Sequence, residues 1–252
     1  MSFDVAGEAY DRFMGRYSQP LARTLVDWLE VAPGQRAVDV GCGPGALTAV
    51  LVERLGADHV VAVDPSEPFV AACRDRNPGV DVRQGGAESL PFDDDSADVA
   101  AACLVVHFMT DPVAGVREMA RVTRPGGRVG ATVWDLRGSR APMAPLWTAM
   151  AEVAPQHPDE SDFQGGSRES LVGILEQAGL TDIEADELAV TVTHPTFEEW
   201  WEPYQHGVGP AGEAIAALDP EARTRLEQVL RRNLGDGPFD VTAVAYAARG
   251  RA

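Results

Sequence analysis

From Arg36 to Asp135 short apolar strands alternate with helical stretches, and this alternation constrains the fold more than any other feature of the chain. The strand-like runs are RAVDV (36–40), HVVAVD (59–64), VDVRQG (80–85), ADVAAACLVV (97–106) and RVGATVWD (128–135). Helical patterns occupy 45–56, 67–76 and 112–123, and a loop, GAESLPFDDDS, joins the third and fourth strands. Strands joined by helices of this length run parallel through right-handed crossovers, in a sheet covered on both faces. The expected fold class is α/β, a doubly wound sheet.

The flanking segments extend this frame. Residues 7–30 read as a helix, with Leu21, Leu25, Trp28 and Leu29 at helical spacing. Beyond Asp135 the rhythm breaks into a proline-rich insertion with one helical pattern at 143–153. A helix at 167–180, a strand at 182–194 and a last strand at 239–250 follow. Between those strands lie helices at 197–206 and 220–233, the first opened by a Thr196-x-x-Glu199 capping box and the second by Asp219 before Pro220. Ser66 is the expected N-cap of the 67–76 helix. The whole reads as one domain, 1–252. A helical cap (1–30) precedes the ligand-binding core (31–137), lid insertions fill 138–166 and 195–238, and 167–194 with 239–252 complete the sheet.

Composition excludes several function classes. The formal charge of -18 and pI near 4.5 oppose binding to nucleic acid or anionic lipid, which require a positive face. All 21 basic residues are arginine, so chemistry that needs a lysine amine or a P-loop lysine is absent. The apolar stretch Val99–Met109 is too short to span a bilayer, and MSFDVAGEAYDRF lacks the layout of a signal peptide. A soluble, cytoplasmic protein is expected. Cys42, Cys73 and Cys103 are scattered in apolar or glycine-rich elements and suggest neither a metal site nor a disulfide framework. The acidic run Asp93–Asp95 reads as a solvated turn.

The first strand-to-helix junction carries AVDVGCGPGA (37–46), and the next strand ends in Asp64. Glycines there let a ligand approach the backbone, and a carboxylate at the second strand end can accept hydrogen bonds from both ribose hydroxyls. An adenosine-containing ligand is implied. Spacing alone leaves two classes open, because Gly41, Gly43 and Ala46 also fit the G-x-G-x-x-G/A pattern of dinucleotide-binding domains. Asp39 separates them. A desolvated carboxylate inside an apolar strand needs a cation or a donor. It would repel a pyrophosphate and attract the ammonium and sulfonium of S-adenosylmethionine. The alternative for Asp39 is a carboxylate held only by backbone amides of the glycine turn.

Four segments in order, VDVGCGPG (38–45), VAVDPSE (61–67), GGAESLPFDDDSADVA (85–100) and REMARVTRPGGRV (117–129), resemble the class I S-adenosylmethionine-dependent methyltransferases. The likeness is to the type 11 group that includes the quinone-biosynthesis C-methyltransferases, and it spans about residues 34 to 135. The resemblance implies a seven-stranded, mostly parallel Rossmann-like sheet with the last strand antiparallel and helical lid insertions. It implies S-adenosylmethionine as cofactor, S-adenosylhomocysteine as product and a small-molecule acceptor. By the same resemblance Asp39, Gly41, Gly43 and Gly45 line the methionine end, Asp64 holds the ribose, and Pro65 packs on adenine. Ala87 and Glu88 lie at the adenine edge, while Cys103 and Leu104 offer backbone carbonyls to the ammonium. Tyr10, Phe13 and Tyr17 would close over the cofactor, Tyr17 touching it and Tyr10 reaching the acceptor. Gly86 departs from relatives that carry Asp or Thr there, so backbone or Glu88 must supply the adenine contact.

His107 follows the fourth strand and is expected to face the methyl-transfer site. Displacement at a sulfonium disperses an existing charge, so positioning can carry much of catalysis; a base matters only for an acceptor that arrives protonated. His107 is the candidate base, with a histidine bonded to loop backbone as its alternative. Trp147, Trp200, Trp201, Tyr204 and His206 form an aromatic set in the lid segments, suited to an aromatic or apolar acceptor. Adjacent tryptophans on one helix are not expected to face inward together. The leading expectation is a small-molecule methyltransferase, set against an NAD(P)-dependent oxidoreductase and a non-catalytic S-adenosylmethionine-binding module. No metal is expected.

Overall fold

The computed structural model describes residues 14–156, 166–206 and 209–252. Tyr10 and Phe13 lie outside the described residues, as does the side chain of His206. The elements in chain order are α1 (Arg16–Trp28), β1 (Ala37–Val40), α2 (Ala46–Leu55), β2 (Val60–Asp64), α3 (Glu67–Arg76), β3 (Asp81–Gln84), β4 (Ala97–Cys103) and α4 (Pro112–Val122). They continue with β5 (Thr123–Trp134), α5 (Ala144–Val153), α6 (Arg168–Gln177), β6 (Thr181–His194), α7 (Phe197–Trp201), α8 (Gly209–Ala216), α9 (Pro220–Leu234) and β7 (Phe239–Arg251).

The seven strands form one sheet in the order β3-β2-β1-β4-β5-β7-β6. Strands β1 to β5 pair in parallel, and β7 inserts antiparallel between β5 and β6. The strand order reverses between β1 and β4, and in such sheets the crevice at the carboxyl ends of those strands is the ligand position. Every residue of β1 is buried, including Asp39, whose register neighbours are Ala62 on β2 and Ala101 on β4. Two small side chains thus flank the one polar residue of the strand.

Each face of the sheet has its own apolar layer. One joins Leu21 and Leu25 of α1 to Leu51 of α2, Leu146 of α5 and the aromatic residues of α7. The other joins Val116 and Met119 of α4 to Leu171 and Leu175 of α6. Helix α1 buries Tyr17, Leu21, Leu25 and Val26, a stripe with the helical repeat.

Several boundaries differ from expectation for local reasons. Strand β4 stops at Cys103, short of Val106, because Leu104 takes a left-handed φ of +65° and the chain enters a 3₁₀ turn at Val106–Phe108. Strand β5 begins at Thr123 and absorbs Arg124–Gly127 through a shift in its register with β4 between Ala97 and Val99. Ser66 makes no side-chain cap; its backbone N–H donates instead to Asp64 Oδ1. Thr196 and Asp219 do cap α7 and α9. The helix expected over 197–206 is α7 followed by a 3₁₀ turn, and α8 falls where no helix was expected. No helix among the described residues is long and apolar enough to cross a membrane.

Candidate active site

Strand β1 passes into α2 through three glycines with positive φ, Gly41 (+71°), Gly43 (+52°) and Gly45 (+92°). The N–H groups of Gly41 and Cys42 both donate to the Val63 carbonyl, at 2.8 and 3.0 Å, which ties the turn to β2. A Cβ at Gly41 would meet Val105 Cγ1 at 2.4 Å, and one at Gly45 would meet Asn77 Nδ2 at 2.4 Å. A Cβ at Gly43 would meet nothing within 4 Å. The outer glycines are therefore required by close packing, whereas the middle one faces open space.

That space is a cleft of about 790 Å³, its open mouth included. Its walls come from Ser18 of α1, Asp39, the glycine turn, Asp64 to Ser66 with Phe69, and Cys103 to Val105 with Phe108. Leu104 is fixed by its N–H to the Thr132 carbonyl at 2.9 Å. Phe108 stands at the mouth, 37% exposed.

Two carboxylates define the electrostatics. Asp39 is 1% exposed and accepts a 2.5 Å bond from the Thr48 hydroxyl on Oδ2. Burial pushes its carboxyl up to about 7, the Thr48 bond opposes that rise, and the neighbouring Asp64 adds to it. Asp64 accepts from Gly43 N–H at 2.9 Å and Ser66 N–H at 2.8 Å, and burial also raises its carboxyl. The carboxylate held by a glycine-turn amide is thus Asp64, while Asp39 is held by Thr48 through its hydroxyl and its backbone. Among the described residues no arginine pairs with either.

The other expected residues lie as follows. Gly41, Gly43, Pro65, Cys103 and Leu104 border the cleft with the two acids; Gly45 packs beneath it. Burial pushes the Cys103 thiol up to about 12, which keeps it protonated. Ala87 is buried in the core layer of α4, and Glu88 Oε1 accepts from the N–H groups of Thr110 and Asp111 at 2.9 and 3.3 Å. Neither borders the cleft. Tyr17 also stands behind it, its hydroxyl 2.7 Å from His194 Nε2. Arg16 contacts His194 Nδ1 at 3.2 Å and donates to Glu199 at 2.9 Å. A guanidinium only donates, so Nδ1 is the acceptor and Nε2–H donates to the Tyr17 oxygen.

His107 sits behind Phe108, their ring centroids 3.9 Å apart, and burial pulls its imidazole down to about 3. It is neutral at physiological pH and only weakly basic. Trp200 (2% exposed), Trp201 (4%) and Tyr204 (3%) are buried together with Phe197, and Trp147 packs half-buried on the same layer. Both tryptophans therefore face inward, stacked at 6.3 Å, contrary to expectation: the short α7 is covered on two sides, which a longer exposed helix would not be. None of them borders the cleft.

Sequence reasoning missed Ser18, Val105, Phe69 and Phe108 as cleft residues, Thr48 as the partner of Asp39, and His194 as the anchor of α1. Only Thr48 carried a local signal: it sits on the first turn of α2, a polar residue in an apolar run.

A protein-family model described as a methyltransferase domain matches residues 38–130. An uncharacterized methyltransferase of Mycobacterium bovis is 43% identical over 140 residues, 56% of this chain and 54% of that protein. The chain thus spans about half the length of that relative. The nocamycin O-methyltransferase of Saccharothrix syringae is 29% identical over 98% of this chain and 96% of its own. The demethylmenaquinone methyltransferase of Paenarthrobacter aurescens is 30% identical over 64% of this chain and 68% of its own. Among solved structures, a phosphoethanolamine N-methyltransferase 2 of Haemonchus contortus shares the fold, with a TM-score of 0.60 at 19% identity over 99% of this chain and 58% of that one.

Proposed function

The chain belongs to the methyltransferase-domain family, and from that premise we propose that it is an S-adenosylmethionine-dependent methyltransferase acting on a small molecule. The observation that carries this reading is the buried Asp39 carboxylate on the cleft wall, with no arginine partner among the described residues. A cleft with two carboxylates and no cation among the described residues selects a cationic ligand and disfavours a pyrophosphate.

The residues present fit that cofactor. Asp39 would receive its ammonium, Asp64 its ribose hydroxyls, and Pro65 would supply an apolar wall for adenine. Gly41 and Gly43 would bring backbone close to the methionine end, and Cys103 and Leu104 would offer carbonyls there. Ala87 and Glu88 do not border the cleft and would act on the adenine edge only indirectly, Glu88 by fixing the loop at Thr110 and Asp111. Bound S-adenosylmethionine would supply an electrophilic methyl on a sulfonium. The chain's part is to hold that donor, exclude water beneath α1, and orient the acceptor. Tyr17 contributes by anchoring α1 over the cleft.

For a hydroxyl or phenol acceptor we assign His107 the role of proton acceptor; it stands behind Phe108 and does not line the cleft, so this role requires the Phe108 ring to move aside. The names of the relatives, a nocamycin O-methyltransferase and a demethylmenaquinone methyltransferase, support a small-molecule acceptor. The exposed Phe108 at the mouth favours an aromatic or apolar one, with Trp147, Trp200, Trp201 and Tyr204 shaping the lid around it. One domain over 1–252 and a cytoplasmic location belong to the same proposal.

Calorimetry with S-adenosylmethionine, S-adenosylhomocysteine and NADH tests the cofactor. The first two are expected to bind; binding of NADH alone would refute the reading. Labelled methyl transfer to a panel of phenols and quinols tests the activity. Tight donor binding with no transfer to any acceptor would instead favour a non-catalytic binding module.

A further inference from the structure

Asp39 is reached by a directed series of donors that begins on the far side of α3. Asn77, the C-cap of α3, places Nδ2 3.7 Å from Cys73 Sγ and 3.1 Å from the Cys73 carbonyl. The Cys73 thiol lies 3.5 Å from Thr48 Oγ1 and donates to it. The Thr48 hydroxyl in turn donates to Asp39 Oδ2 at 2.5 Å. The neighbouring Cys73 thiol, together with burial, holds the thiol of Cys42, on the cleft wall, well above the usual range. Because Thr48 Oγ1 already accepts from Cys73, its proton is directed at the carboxylate. Donors aligned in this way strengthen one another where water is excluded.

We propose that Thr48 is a positioning residue of the donor site: its hydroxyl fixes the Asp39 carboxylate in the place and charge state that receive the amino-acid end of the methyl donor. This rests on reading the cleft as the donor site. The groups facing Asp39 from each packed element are Thr48 on α2, Asp64 on β2, Cys42 in the glycine turn, Cys73 on α3 and Cys103 on β4. Asp64 is the other carboxyl among them, and like-charge repulsion from it disfavours ionisation of Asp39. Thr48 is the side-chain donor that favours the ionised form. Thr48 itself is wholly buried and does not border the cleft, so it acts through Asp39 and not by touching the ligand.

The test is calorimetry with S-adenosylhomocysteine from pH 6 to 8.5 on the wild type, Thr48→Ser and the near-isosteric Thr48→Val. This probe keeps the ammonium and lacks the sulfonium, so it reads the amino-acid end. Thr48→Val is expected to bind about tenfold or more weaker at pH 7. Its affinity should recover toward pH 8.5, because a carboxyl without its donor ionises at higher pH. Thr48→Ser should keep the wild-type midpoint. Wild-type affinity and pH profile in Thr48→Val would overturn the proposal, and so would a loss equal at every pH, which marks packing alone. If Thr48→Val does not fold, Cys73→Ala removes the donor behind Thr48 and should shift the midpoint in the same direction by less; an unmoved midpoint again overturns it. A wild-type protein that binds no S-adenosylhomocysteine would refute the donor-site reading itself, a separate outcome.

Discussion

The three glycines of the turn have different physical reasons for being glycine. Gly45 is boxed in by Asn77 and Cys73, whereas Gly43 faces open cleft. Both have positive φ, where a side chain costs of order 1–3 kcal/mol. Gly45→Ala adds a steric clash and is expected to lower stability by at least about 2 kcal/mol in denaturant melts. Gly43→Ala is expected to cost about 1 kcal/mol of stability yet to weaken S-adenosylhomocysteine binding markedly, since its methyl group would project into the ligand's space. Equal effects of the two substitutions on stability and on binding would contradict this division. At this scale much was readable from the chain, because Asp39, Gly41, Gly43 and Gly45 are near neighbours and their chemistry is local. The second engagement of Asp64, with the Gly43 N–H, depends on a turn that brings residues 21 positions apart into contact, and no local pattern encodes it.

Helix α1 owes its place over the cleft to a joint with the end of β6. Tyr17, Arg16, His194 and Glu199 form that joint across more than 170 positions of sequence. Burial, reinforced by the Arg16 charge, pulls the His194 imidazole down to about 4, so it is neutral near pH 7. Tyr17→Phe leaves the buried Nε2–H without its acceptor and is expected to destabilise the docked helix by about 1 to 3 kcal/mol. Faster amide hydrogen exchange across 16–28, with the parallel strands unchanged, is the expected signature; unaltered exchange there would count against the joint. Strand and helix positions were largely legible because they follow apolar periodicity. The ends were less so: β4 stops early at Leu104, and α8 lies in a stretch, GPAGEAIA, whose glycines and proline disguise it. The inward packing of both Trp200 and Trp201 was hidden because it depends on what covers α7, not on α7 itself.

For the whole molecule, the cleft carries a stability cost that varies with pH. The Asp39 carboxyl titrates near 7 when folded and near 3.8 otherwise, so the folded protein holds the extra proton between those values. Its stabilising contribution is complete below about pH 4 and is lost as pH rises through 7. His107 and His194 act in the opposite sense: the unfolded chain takes up their protons below about 6.5, so acid weakens the fold through them. Asp39→Asn is therefore expected to raise stability at pH 8 by about 2 to 4 kcal/mol, a gain that shrinks as pH approaches 4. Denaturant melts at several pH values check this, and a gain independent of pH would be inconsistent with a buried charge as its source. The same substitution should abolish tight donor binding, a trade of stability for function.

Every described residue that borders the cleft falls between Ser18 and Phe108, while the aromatic packing around α7 is drawn from Trp147 onward. The two halves of the chain therefore contribute differently to the cleft and to the packing around α7. On the proposed function, changes after residue 135 leave the described cleft walls untouched, so descendants of one such chain can diverge there without reinventing their source of methyl groups.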